Sequence, residues 1–223
     1  MSPVPASAFL APDVHAVRVG DDLVILDVAA DRYLCWPDAG PLTLSADGRR
    51  LGKAAAAVLA EFRGAGLIAD APAPPTVPFR AVLAPEGDLN RPDPRASRWA
   101  DRVDLLRASL DGAVTYPRRS FAELVAYGAA RPPGHDPDAA PTKALQAVVG
   151  GFHRWACWTP APAKCLIRSF MLLRLLRRHG HDARWVFAVR TWPFEAHCWL
   201  QAGPVVLDDS VERLVAYRPI LVV

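Results

Sequence analysis

The chain has four cysteines, Cys35, Cys157, Cys165 and Cys198, with no C-x-x-C pair among them. That spacing argues against a zinc site and against a disulfide framework. Only Cys165 stands where a thiol gains reactivity. It follows Pro162-Ala163-Lys164 and opens an apolar run reaching His179, with Gly180 at the usual helix stop. A thiol at a helix N-terminus feels the positive end of the helix dipole and unpaired backbone N–H groups. Both favour thiolate, the nucleophilic form, and Lys164 and Arg168 add positive charge. The same N–H groups can donate to a developing oxyanion. Alone, Cys165 would read as one more small buried residue, the commonest fate of a free cysteine.

His197 changes that reading. It lies in Glu195-Ala-His-Cys-Trp-Leu200, a strand-like apolar segment, where an imidazole can serve as base for a thiol. Asp209 follows twelve residues later. If the chain turns back beside His197 after Val205-Val-Leu207, a carboxylate would orient the imidazole and steady the imidazolium. The competing use of Asp208 and Asp209 is to end a strand and cap Ser210-Val211. Taken together, helix-N-terminal Cys, strand His and next-strand Asp form the layout of papain-like and transglutaminase-like sites.

The elements that must hold these groups follow from periodicity. Trp99, Val103, Leu106 and Leu110 recur at helical spacing. Ser120-Phe-Ala-Glu123 is a capping box that starts a second helix. Residues 131–141 form a loop. Leu145–Trp158 is a third helix, weakened by Gly150-Gly151 and ended by Thr159-Pro-Ala-Pro162. Cys165–His179 is the fourth. Ala183–Arg190, Ala196–Leu200 and Val205–Leu207 read as strands, with Gly203-Pro204 as the last turn. Helices followed by strands mean an α+β fold.

Ahead of this block, seven of the 22 prolines fall between Pro72 and Pro94, a density that neither helix nor central strand tolerates. The expected division is therefore a domain over 1–80, a proline-rich linker over 81–96 and a second domain over 97–223. In the first, Val14–Val19, Leu23–Val28 and Arg32–Trp36 are separated by turn residues and predict a three-stranded antiparallel meander. Ser45 or Asp47 would cap a first helical turn. Leu51–Phe62, rich in alanine, predicts a helix stopped by Gly64 and Gly66, and Leu67-Ile68 a short strand. This block has no catalytic grouping and is expected to bind.

Charge narrows the classes further. With 26 Lys+Arg against 23 Asp+Glu, the net charge of +3 gives no purely electrostatic case for nucleic acid. Residues 151–223 hold 10 basic and 5 acidic side chains. However, Arg168, Arg174, Arg177 and Arg178 read as the solvated face of an amphipathic helix. His153, Trp155, Trp158 and Trp192 read mostly as core. His179 and His181 lack partner ligands, so no metal is assigned and no cofactor is expected. No run of 18 uncharged apolar residues suggests a membrane span, and Met1–Asp13 lacks a secretory pattern. A cytoplasmic, reduced setting is expected.

The stretch from Lys164-Cys-Leu-Ile-Arg-Ser169 to Arg177-Arg-His-Gly180, with Ala196-His-Cys-Trp-Leu200 and Leu207-Asp-Asp209, resembles the transglutaminase-like leader peptidases of lasso peptide biosynthesis, the lasso B proteins. The resemblance covers about residues 95–223. Cys198 stands where that family usually has Ala, and Gln201 where Glu is common. The resemblance implies a papain/transglutaminase-like cysteine peptidase domain, with Cys165 as nucleophile, His197 as base and Asp209, rather than Asp208, as orienter. The first block is similar to the peptide-recognition element fused to those proteins, which implies a small winged-helix-like domain of three strands plus helices. In that element a leader peptide adds as a strand to the sheet edge. The edge here would be Arg32–Trp36, with Tyr33, Leu34 and Cys35 near the groove and Leu59 and Phe62 on its helical wall, although Tyr33, Trp36, Leu59 and Phe62 also suit the core. The implied activity is hydrolysis of the leader–core bond of a precursor peptide, whose new amine would pass to an asparagine-synthetase-like cyclase. Two other readings fit the same residues: an acyltransferase or transglutaminase with this triad, and a non-enzymatic scaffold that presents a peptide.

Overall fold

The computed structural model describes residues 6–78, 80–90, 103, 107, 115–131, 136–156 and 164–223. It is a mixed α+β chain with antiparallel sheets. The chain divides into two compact units: Met1–Arg80 with Ala188–Glu195 and Arg218–Leu221, and Ala81–Phe187 with Ala196–Tyr217 and Val222–Val223.

The first unit begins with β1 (Ala6–Leu10), then the meander β2 (Val14–Val19), β3 (Asp22–Asp27) and β4 (Arg32–Trp36). Positive φ at Gly20 (61°) and Asp31 (49°) makes the two tight reversals. β5 (Thr43–Leu44), β6 (Arg50–Ala54) and β7 (Ile68–Ala69) join β1 in a second sheet, ordered β5-β6-β1-β7. Between β6 and β7 lies α1 (Ala56–Gly64).

Two expectations are corrected here. The predicted helix over Leu51–Phe62 begins only at Ala56, because Leu51 and Ala54 are drawn into β6 opposite Ala8 and Ala6. Both are buried in the core, and pairing with β1 outweighs the helix preference of the alanines. Ser45 and Asp47 do not cap a helix. They close the β5–β6 reversal, where Ser45 Oγ donates to Asp47 Oδ1 at 2.5 Å and accepts from the Arg50 N–H. The Arg49 guanidinium donates to the Leu10, Ala11 and Val14 carbonyls and so joins the end of β1 to the start of β2. The core of this unit packs Leu10, Leu23, Ile25, Leu51, Phe62 and Leu67. Trp36 meets Phe62 edge to face at 5.3 Å, a geometry that adds about 0.5–1.5 kcal/mol beyond burial.

A further sheet is ordered β12-β9-β10-β11-β8. Its strands are β8 (Gly87–Asp88), β9 (Arg184–Arg190), β10 (Glu195–Ala202), β11 (Val205–Val206) and β12 (Arg218–Val222). β8 comes from the segment expected as linker. As far as residue 90 that segment is bound into the second unit: β8 runs parallel to β11, and the Glu86 N–H donates to the Pro204 carbonyl. The rest of the expected linker lies outside the described residues. β12 was not anticipated. It follows α5 (Val211–Leu214), and Val223 exchanges backbone hydrogen bonds with Trp185.

Three helices precede these strands: α2 (Phe121–Ala129), α3 (Lys143–Ala156) and α4 (Cys165–Arg178). The Ser120/Glu123 capping box starts α2 in both directions. Of the helix expected over Trp99–Leu110, only residues 103 and 107 are described, and both are helical. α4 buries Phe170, Leu172, Leu173 and Leu176 completely, so it is an inner helix. Its arginines therefore form the expected solvated face only in part. Arg177 turns inward to Asp182 and to the Tyr127 and Gly128 carbonyls, a use suited to a planar five-donor group. Arg178 is exposed. Among the described residues no helix is long and apolar enough to cross a membrane.

Candidate active site

α4 starts at Cys165 because Lys164 is still extended (φ −75°, ψ 133°) while its carbonyl already accepts from the Arg168 N–H. Among the described residues no side chain caps this end. The first-turn N–H groups are thus left beside a half-buried thiol.

His197 is buried on β10, and its Nε2 bonds Asp209 Oδ2. The ring's second nitrogen, Nδ1, is then the one available to Cys165, which is close enough to help raise the imidazole. Asp209 reaches His197 because the chain turns at Gly203-Pro204 and runs back: the Leu207 N–H donates to the Leu200 carbonyl. The second oxygen of Asp209 accepts from the Ser210 N–H at 2.8 Å. Cys165, His197 and Asp209 are therefore brought together, with the carboxylate on one ring nitrogen and the sulfur at the other.

The electrostatics favour charge separation. A hydrogen bond from the Cys198 thiol, joined by bonds from His197 and the Cys198 N–H, pulls the Cys165 thiol down to about 4 against the opposing effect of burial. Burial would lower the His197 imidazole, but its bonds to Asp209 and Cys165 raise it to about 9. Asp209 is held below the usual carboxylate range by His197 despite its own burial. At neutral pH the pair is thiolate and imidazolium, the reactive form of a cysteine nucleophile. Among the described residues no group of three or more His, Cys, Asp or Glu is arranged to hold a metal ion.

Several contributors escape a reading of the sequence. Cys198 reads there only as a departure beside the site, yet its thiol is the largest influence on Cys165. His153, read as core, accepts on Nδ1 from Arg168 at 2.9 Å and donates from Nε2 to the Leu207 carbonyl at 2.6 Å. It is thereby fixed as the neutral Nε2–H tautomer. Asp208 is buried and bonds Ser169 and Leu200. Only the apolar setting of Asp208, directly after Val205-Val-Leu207, hints at its burial. Gln201 is fully buried and donates to the Leu83 and Gly203 carbonyls while accepting from Trp199. An ionised glutamate there would have no hydrogen to give those carbonyls.

The candidate groove residues separate by face. β4 is an edge strand of the meander. Its Ile25-paired residue Leu34, with Arg32 and Trp36, lines a cavity of about 600 Å³ between β4 and α1, together with Cys35, Glu61, Phe62, Ala65 and Leu67. Tyr33 does not line the cavity and packs against Phe194 at 6.0 Å. Leu59 is buried in the core and does not line the cavity. Arg32 anchors the rim, bonding Asp27 through two nitrogens and donating to the Ala65 carbonyl at the end of α1.

A family model described as transglutaminase-like superfamily matches residues 105–222. The chain is also 41% identical over 46 residues to a microcin J25-processing protein, McjB, of Escherichia coli. That match covers 21% of this chain and 22% of the relative, about a fifth of each. No solved structure matches significantly.

Proposed function

The chain belongs to the transglutaminase-like superfamily, and we propose that it is a leader peptidase of lasso peptide biosynthesis. The observation that carries this reading is the contact set Cys165–His197–Asp209, with a thiolate–imidazolium pair at neutral pH. The partial likeness to a microcin-processing protein favours a ribosomal precursor peptide as substrate.

In this reading the Cys165 thiolate attacks the carbonyl carbon of the leader–core bond. N–H groups of the first turn of α4 stabilise the oxyanion. The His197 imidazolium protonates the departing core amine, leaving the leader as a Cys165 thioester. His197 then takes a proton from water, which attacks the thioester and releases the leader acid. Asp209 keeps the ring oriented through both steps. The freed core would pass to an asparagine-synthetase-like cyclase in the cytoplasm.

Residues 1–80 serve as the winged-helix-like recognition domain, which takes the leader as an added strand along β4. Leu34, Cys35 and Phe62 line the cavity beside it, and the outer edge of β4 supplies backbone partners. Tethering this domain to the peptidase raises the effective concentration of the scissile bond.

The test is mass spectrometry of precursor incubated with the full chain. A leader fragment ending in a free carboxyl, together with an intact core amine, is the expected product. A leader joined to an added amine would replace hydrolysis with acyl transfer. Cys165→Ala and His197→Ala should abolish cleavage, and Asp209→Asn should slow it by about 10²–10⁴-fold, as loss of the orienting carboxylate does in such triads. Cleavage at the wild-type rate by Cys165→Ala would end this proposal.

A further inference from the structure

Asp208 sits beside the orienting aspartate but faces another way. It is buried, its Oδ2 accepts from Ser169 Oγ at 2.5 Å, and its Oδ1 accepts from the Leu200 N–H at 2.7 Å. The two donors belong to the elements that carry the other reactive groups. Ser169 is fully buried on α4, one turn beyond Cys165. Leu200 is on β10, three residues beyond His197. Asp208 itself precedes Asp209. One carboxylate therefore joins the helix of the thiol, the strand of the imidazole and the segment of the orienting aspartate.

A second connection runs parallel to it. Arg168, also on α4, donates to His153, which donates to the Leu207 carbonyl. The segment Leu207–Asp208 is thus bonded to α4 twice, by different residues. Burial is unfavourable for a carboxyl, and it pushes Asp208 up to about 6. An apolar side chain of like size would avoid that cost but could join none of these elements.

We propose that Asp208, held by Ser169, is a positioning residue that sets the distance and angle between Cys165 and the His197–Asp209 pair. This rests on the proposed triad. It requires neither the peptide substrate nor the hydrolytic outcome. Asp208 touches no reacting atom and acts only through the elements it joins. Asparagine in its place would still accept from the Leu200 N–H, and its amide would donate to Ser169 Oγ, whose hydroxyl rotates freely. Alanine would remove both links.

The experiment is the pH dependence of Cys165 alkylation by iodoacetamide in the full chain, with thermal stability measured alongside. Asp208→Ala should raise the midpoint of the reactivity curve by about one pH unit or more, roughly a tenfold loss of thiolate below that midpoint. Ser169→Ala should raise it by less. Asp208→Asn should restore a curve near wild type. A purely structural role would lower the melting temperature while leaving the alkylation midpoint of the folded protein unchanged. That result in Asp208→Ala, or in Ser169→Ala if the first variant fails to fold, overturns the proposal, as does Asp208→Asn behaving like Asp208→Ala. A wild-type chain that cleaves no precursor yet shows the expected shifts would sink the peptidase reading and leave the positioning role standing.

Discussion

The Cys198 thiol stands beside the sulfur of Cys165, and as a hydrogen-bond donor it contributes more than any other group to the depression of the Cys165 thiol. Cys198 is itself buried, and burial drives its own ionisation well above the ordinary thiol value. It therefore stays protonated and remains a donor while Cys165 carries the charge. Cys198→Ala removes that donor and leaves the backbone N–H of the same residue in place. The Cys165 alkylation midpoint should then move up from about 4, whereas Cys198→Ser, which keeps a hydroxyl donor, should move it less. An unchanged midpoint in the alanine variant would remove Cys198 from the site.

In the proposed mechanism, Cys165 and His197 fix the shape of the pH–rate profile. The Cys165 thiol, lowered to about 4, is thiolate above that pH, so cleavage should rise as pH increases through it. His197, raised to about 9, keeps the proton it must give to the leaving amine until that pH and loses it beyond. The plot of kcat/KM should be a bell with its plateau between these limits. An acid limb near the ordinary thiol value would contradict the preformed ion pair.

In the proposed reading, the leader is captured at the cavity between β4 and α1. Ala65 lines it, is exposed and follows the end of α1, so a larger side chain there fills the groove without entering the core. Ala65→Trp should weaken binding of a labelled leader by tenfold or more, which is about 1.4 kcal/mol. It should leave Cys165 alkylation as it was. Titration by fluorescence anisotropy gives the first quantity and mass spectrometry the second. Wild-type leader affinity in this variant would move the binding site elsewhere.

Gly128 on α2 meets the last residue of the chain. A Cβ added there would stand 2.5 Å from Val223 Cγ2 and 3.2 Å from Trp185. Alanine improves helix propensity by about 1 kcal/mol, but overpacking costs about 1–3 kcal/mol. Trp185 is fully buried, which leaves little room to adjust, so the clash should win. Gly128→Ala should lower the thermal midpoint, read by circular dichroism, and Gly128→Ala with Val223→Ala should recover part of the loss.

What could be read from the sequence was local. The capping box at Ser120, the helix opened by Cys165, the alternation of the meander and the turn at Gly203-Pro204 are each written in a few consecutive residues, because caps, periods and turns act over one or two turns of backbone. The pairing of β1 with β6, the addition of β8 and β12 to a sheet, and the inward turn of Arg177 depend on residues far along the chain. No local period records such partners. Residues 51–54 show the conflict directly: their helix preference is real, and pairing with β1 overrules it. At the site, the types and order of Cys165, His197 and Asp209 pointed to the thiol chemistry proposed for them. Where Tyr33 packs, that Cys198 acts on Cys165, and that Asp208 joins three elements while Asp209 meets the imidazole were decided only when strand pairing and helix packing fixed where each side chain points.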